Sequence, residues 1–233
     1  MLEYKSKYFT KSLSVFGEPK ISTIKQLQKF IELDKNSKIL IPNCQDGIYV
    51  LPFAKISNNI VCYEENEILL NGGIIDDFYS LGLTNRLKGA NLRKNVKIKK
   101  CNYYDVNNSN KYDLVVAIRT LQLKENDKYN IDEKINKLMS NVREGGYLYI
   151  YYDLVLDESE EYNNSYFHLG EMQKIFDLED WKIEYICERN AINYCNYIYN
   201  SNRKVGYILA NKKRNRRVHK CHYSIEINNK IEF

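Results

Sequence analysis

The sequence is poor in the residues that interrupt or staple a chain. Its 233 residues include three prolines and ten glycines, with no linker and no internal repeat, which argues against a string of small modules. Six cysteines are scattered at positions 44, 62, 101, 187, 195 and 221, without a C-x-x-C pair. Neither a zinc framework nor a disulfide scaffold is therefore expected, and free thiols in a reducing compartment are. No window approaches 18 uninterrupted apolar residues, and the opening stretch lacks an apolar h-region. Neither a membrane-spanning helix nor a secretory signal is thus expected, and a cytoplasmic location is. No G-x-G-x-x-G follows an apolar run, which speaks against a nicotinamide dehydrogenase.

What is present is the composition of a folded domain, with 44% hydrophobic and 28% charged residues. The net charge of +5 is a property of the tail. Residues 201–233 carry nine of the 35 basic side chains and two of the 30 acids, so the first 200 residues are close to neutral. The cluster Lys212, Lys213, Arg214, Arg216, Arg217 and Lys220 can hold phosphate, or can be a solvated chain end. Residues 1–213 read as one domain and 214–233 as a basic extension.

Strand and helix patterns alternate, which predicts an α/β fold. Apolar runs at Lys38–Ile41, Asn59–Tyr63, Val96–Cys101, Tyr112–Ile118 and Tyr147–Tyr152 read as five buried parallel strands. Trp181–Cys187 and Val205–Ala210 read as two more, paired as an antiparallel hairpin at one edge. Helical spacing covers Ile24–Ile31, Ile48–Lys55 and Ile131–Val142, and residues 67–93 with interruptions at Gly72-Gly73 and Gly82.

In an open parallel sheet, ligands bind beyond the carboxyl ends of the strands. That rule selects Asn43-Cys44-Gln45-Asp46-Gly47, Glu64, Tyr104-Asp105 and Ala117-Ile118-Arg119-Thr120. A loop of small residues leading into a helix exposes backbone N–H groups to a ligand. A carboxylate about 20 residues further on can accept both hydroxyls of a ribose. An Asp after the third strand can accept from the amine of an adenine. Together they suit an adenosine-containing ligand.

The stretch Lys38–Gly47 with Ile60–Asn66 resembles the first motif and acidic loop of class I S-adenosylmethionine (SAM)-dependent methyltransferases. Tyr112–Ile118 resembles the fourth-strand motif, and Arg143–Leu148 the turn before strand five. Phe167–Met172 followed by Trp181–Glu188 resembles the tellurite-resistance (TehB-like) branch. The resemblance implies a Rossmann-like seven-stranded sheet of order 3-2-1-4-5-7-6 and SAM as cofactor. It places Asn43, Cys44, Gln45, Gly47, Glu64, Tyr104, Asp105 and Ile118 about the cofactor. Arg119, Tyr151, Tyr152 and Arg203 fall on the acceptor side, with Arg119 and Arg203 as candidate catalytic groups. Residues 1–20 and 153–167 are the expected lids.

Three departures stand out: Ile41 at the usual acid position, and Asn43 and Gln45 where the motif has glycine. Asn43 is expected to hold the turn, because Asn tolerates positive φ. Methyl transfer to a small molecule is the leading expectation. A relative that binds a ligand without catalysis is the second, and a nucleic-acid methyltransferase the third. Arg119 can also be the cation of a structural ion pair, and His168 a capping residue. His219, Cys221 and His222 lack further ligands, so no metal is expected.

Overall fold

Apolar runs covered on both faces build the centre of the sheet. The computed structural model describes residues 14–17, 21–75, 78–123, 126–155, 166–176, 178–190 and 204–214. In chain order the elements are α1 (Ile21–Leu27), β1 (Lys38–Ile41), α2 (Val50–Ala54), β2 (Asn59–Tyr63), α3 (Glu67–Asn71), β3 (Gly73–Ile75) and β4 (Phe78–Ser80). Then follow α4 (Leu83–Gly89), β5 (Val96–Lys99), β6 (Tyr112–Ile118), α5 (Ile131–Ser140), β7 (Val142–Leu154), α6 (Glu171–Ile175), β8 (Trp181–Asn190) and β9 (Lys204–Lys212).

Seven strands form one sheet in the order β5-β2-β1-β6-β7-β9-β8. Numbered among themselves, these strands give the order 3-2-1-4-5-7-6, as expected. Neighbours from β5 to β7 are parallel, and β9 runs antiparallel to both β7 and β8. Alternation along the strands divides the core in two. Ile39, Ile41, Leu114, Val116, Tyr149 and Tyr151 pack on one face with α2 and α4. Leu40, Val115, Ala117, Leu148, Ile150 and Tyr152 pack on the other with α5.

Local chemistry sets the helix starts. Asn130 and Glu133 form a capping box at α5, each side chain bonding the other's backbone N–H at 2.8 and 3.0 Å. Pro52 sits in the first turn of α2, where its missing N–H costs nothing.

The stretch 67–93 differs from its helical spacing. Two short helices flank a β3–β4 hairpin, with Ile74 opposite Tyr79. Gly72 and Gly82 take φ of +100° and +73°, which end α3 and open α4. A Cβ on Gly82 would lie 2.2 Å from the Gly72 nitrogen, so the two glycines let the hairpin's feet touch. The strand through Tyr147–Tyr152 also begins earlier than its apolar run, at Val142. It passes through Gly145 at φ +74° with a register irregularity against β6.

Candidate functional site

Strand order reverses between β1 and β6, so the crevice for a ligand lies past their carboxyl ends. Among the described residues, two of the three non-glycine residues with positive φ flank that point: Gln45 at +50° after β1 and Arg119 at +53° after β6. Left-handed backbone away from glycine is strained, and such strain gathers at functional sites.

The loop Asn43–Gly47 is tightly wound. Cys44 N–H donates to the Tyr63 carbonyl at 2.9 Å, and Gly47 N–H to the Cys44 carbonyl at 2.9 Å. The left-handed turn falls on Gln45, not on Asn43 as its residue type suggested. At Gly47, φ is +92° and a Cβ would lie 2.5 Å from Leu83 and 2.8 Å from Leu51, so only glycine fits. Cys44 is a packing residue. Burial and the adjacent Cys62 thiol push its own thiol up and keep it protonated.

Glu64 ends β2 with 7% exposure. Its carboxylate accepts the backbone N–H of Gln45 at 2.9 Å and of Asn66 at 3.0 Å. Burial pushes the carboxyl up, the two N–H bonds oppose this, and the charged neighbour is another acid, Glu65. One N–H bond per oxygen leaves acceptor capacity on a carboxylate, which has about four lone-pair sites. A ribose diol offers the two missing donors, so the residues present fit the adenosine part of SAM.

Tyr104 and Asp105 lie on a 3-10 turn, Tyr103–Asp105, capped by the Asn102 side chain. Tyr104 is buried, with its phenol pushed up by burial. Asp105 faces outward, and bonds from Lys128 and the Tyr129 hydroxyl, each 2.6 Å, hold it below the usual carboxylate range. The loop and Glu64 are joined by the Gln45 N–H, Ile118 ends the neighbouring strand β6, and Asp105 is occupied by surface partners.

Of the residues expected on the acceptor side, Arg119 donates from Nη2 and Nε to Asp153 Oδ2 at 2.9 and 3.2 Å. Asp153 is 1% exposed, so this is an ion pair at the end of the sheet between β6 and β7. Tyr151 packs at 4.8 Å between ring centres against Tyr207, and Tyr49 neighbours both of these tyrosines and Arg119. Tyr152 points to the opposite face and is fully buried. Its hydroxyl donates to Glu188 at 2.8 Å, and the other Glu188 oxygen accepts Gly170 N–H at 2.9 Å. The carboxy-terminal motif is thus a scaffold. Gly170 takes φ +77°, Glu171 accepts the His168 N–H at 2.7 Å, and Trp181 packs edge-on to Phe176.

Arg203, residues 156–165 and most of residues 1–20 lie outside the described residues, as do His219, Cys221 and His222. Among the described residues, no group of three His, Cys, Asp or Glu could hold a metal, and no helix is long and apolar enough to cross a membrane. Arg86 was not singled out from the sequence, and Asp46, Asp153 and Glu188 fell within selected stretches without a role of their own. Asp46 sits within the selected loop, but nothing in the sequence pairs it with Arg86, 40 residues away.

No family model and no curated protein matches the sequence. Solved structures do match in shape. TehB from Haemophilus influenzae superposes with a TM-score of 0.63 at 19% identity, over 90% of this chain and 66% of that one. The [4+2]-cyclase SpnF gives 0.61 at 11% identity, over 83% of this chain and 80% of its own. SMU.1697c of Streptococcus mutans, in complex with SAH (S-adenosylhomocysteine), gives 0.52 at 14% identity, over 81% and 97%. This chain spans just under two thirds of the TehB structure. Its fold is that of the class I methyltransferases, with TehB among its structural neighbours.

Proposed function

We propose that this protein binds SAM at the β1–β6 crevice and transfers its methyl group to a small-molecule acceptor. The observation that carries the reading is Glu64, a buried carboxylate joined to the loop at Gln45 N–H, with acceptor capacity left for a ribose. Bound SAM supplies a methyl group already activated on a sulfonium. The task left to the chain is to bind, orient and exclude water. Glu64 accepts the ribose hydroxyls, the Asn43–Gly47 loop approaches the methionine part, and Ile118 covers the adenosine from β6. Arg119, fixed by Asp153, and the rings of Tyr49, Tyr151 and Tyr207 line the side where an acceptor would approach. Holding two reactants in line recovers about 7–11 kcal/mol of barrier without any covalent step. A general base is needed only if the acceptor arrives protonated.

Gln45 favours a second reading, ligand binding without transfer, because a long side chain stands where the motif has glycine. The cyclase SpnF is a neighbour of this fold whose name is not that of a methyltransferase. Action on nucleic acid has less support. The basic run begins where β9 ends at Lys212, beside Trp181 and near Tyr147 at the amino end of β7, opposite the crevice.

The test is to incubate the protein with methyl-labelled SAM and either a filtrate of cell metabolites below about 1 kDa or purified total RNA. Label in the filtrate supports the proposal. Label in RNA alone overturns the choice of acceptor, and label in neither overturns transfer.

A further inference from the structure

One buried carboxylate joins three parts of the chain behind the cofactor loop. Asp46 lies between Gln45 and Gly47, and its side chain is 1% exposed. Its Oδ2 accepts the Val15 N–H at 2.8 Å, and its Oδ1 accepts the Ser14 hydroxyl and, at 3.1 Å, Arg86 Nη1. The same Nη1 donates to the Asp46 carbonyl oxygen. Arg86 comes from α4 and its side chain is fully buried. A guanidinium that grips both the carboxylate and the carbonyl of one residue fixes the plane of the peptide that follows. That peptide carries the Gly47 N–H, which closes the turn onto Cys44. It also follows the left-handed Gln45 whose N–H meets Glu64.

The pair is a poor source of stability. Burial pushes the Asp46 carboxyl up in spite of Arg86 and Ser14, and pulls the Arg86 guanidinium down in spite of Asp46. What it supplies is a geometry, imposed on the loop that faces the crevice.

We infer that Asp46 is a positioning residue for the cofactor, and that the Ser14–Gly17 segment sets cofactor affinity through it, an inference that rests on the SAM reading above. Ser14 and Val15 complete the acceptor sites of Asp46 from the outside, while Arg86 completes them from α4. Loss of the Ser14 bond leaves the buried carboxylate one donor short. The loop then relaxes toward other turns, because the left-handed conformation of Gln45 holds only while its surroundings impose it. By linkage, a segment that tightens the cofactor loop is itself held more firmly when cofactor is bound.

The test is titration calorimetry of SAH on the full chain, comparing the unaltered protein with Ser14→Ala and Asp46→Asn, each well below its own melting midpoint. Ser14→Ala removes one hydroxyl, which also accepts the Phe16 N–H at 3.0 Å, and guards against misfolding of the Asp46 variant. The expected result is a loss of SAH affinity of about 3-fold or more for Ser14→Ala, and a larger loss for Asp46→Asn. Lower melting points with SAH affinity unchanged in both variants would overturn the inference, since a purely structural role moves stability alone. No SAH binding by the unaltered protein would overturn the SAM reading and this inference with it.

Discussion

The Glu64 carboxylate accepts the backbone N–H of Gln45 at 2.9 Å, so the end of β2 and the loop after β1 hold one another in place. A carboxylate that ends β2 and also shapes the loop after β1 joins the two halves of the proposed cofactor site. Glu64→Ala should weaken SAH binding by about 1–3 kcal/mol, measured by calorimetry. The pH dependence has a defined sign. Hydroxyl donors prefer the charged carboxylate, and burial raises its protonation above the ordinary 4.5. Affinity should therefore be full at neutral pH and fall as acidification passes the raised value, beginning above pH 4.5. Glu64→Gln should abolish that fall, and an unchanged profile would contradict the assignment.

Gln45 is held at φ +50°. A left-handed residue other than glycine costs about 1–2 kcal/mol, and glycine returns about 0.5–1 kcal/mol of that to chain entropy. Gln45→Gly should thus stabilise by up to about 1 kcal/mol, or roughly 2–4 °C in melting temperature. It should also tighten SAH binding by removing a side chain from the loop. Gln45→Ala, which keeps the strain, should show no gain in stability. Equal melting points for the two variants would argue that the loop is not strained at this position.

Arg119 and Asp153 form an ion pair at the carboxyl ends of β6 and β7, with side chains 21% and 1% exposed. Arg119→Ala leaves a buried carboxylate without its guanidinium and should destabilise by about 3 kcal/mol in urea unfolding. Adding Asp153→Ala should return part of that loss, because the stranded charge is gone. Additive losses would mean that the two side chains are energetically independent.

Gly206 lies under the Tyr152 ring, where an added Cβ would sit 2.1 Å from Cζ. Tyr152 cannot swing away, since its hydroxyl is bonded to Glu188 and its ring packs edge-on to Phe167 at 5.3 Å. Gly206→Ala should cost about 1–3 kcal/mol of stability, and combining it with Tyr152→Leu should restore part of that. Thermal unfolding of the single and double variants tests the pairing of β7 with β9.

The strands were legible because their apolar runs are continuous, as at Leu114–Ile118, and an apolar run buried on both faces has few alternatives. The β3–β4 hairpin was not, because Ile74 with Phe78 and Ile75 with Tyr79 fall at the i, i+4 spacing that a helix also satisfies. Gly72-Gly73 and Gly82 betray the break. The loop, Glu64 and Arg119 could be picked out by the strand-end rule alone. Their partners could not. Asp46 with Arg86, Arg119 with Asp153 and Tyr152 with Glu188 are separated by more than 30 residues, and no local pattern encodes such contacts. The same limit explains why the left-handed turn was expected at Asn43. Residue type favoured it there, whereas bonds from distant strands and helices place it at Gln45.

We propose SAM as the ligand of the crevice between β1 and β6. Titration calorimetry of the full chain with SAM and SAH, with NAD as control, tests it most directly. Binding of both sulfur ligands in the micromolar range, with none of NAD, is the predicted result. Absence of binding at millimolar SAM and SAH would contradict it and would mean a methyltransferase fold put to another use.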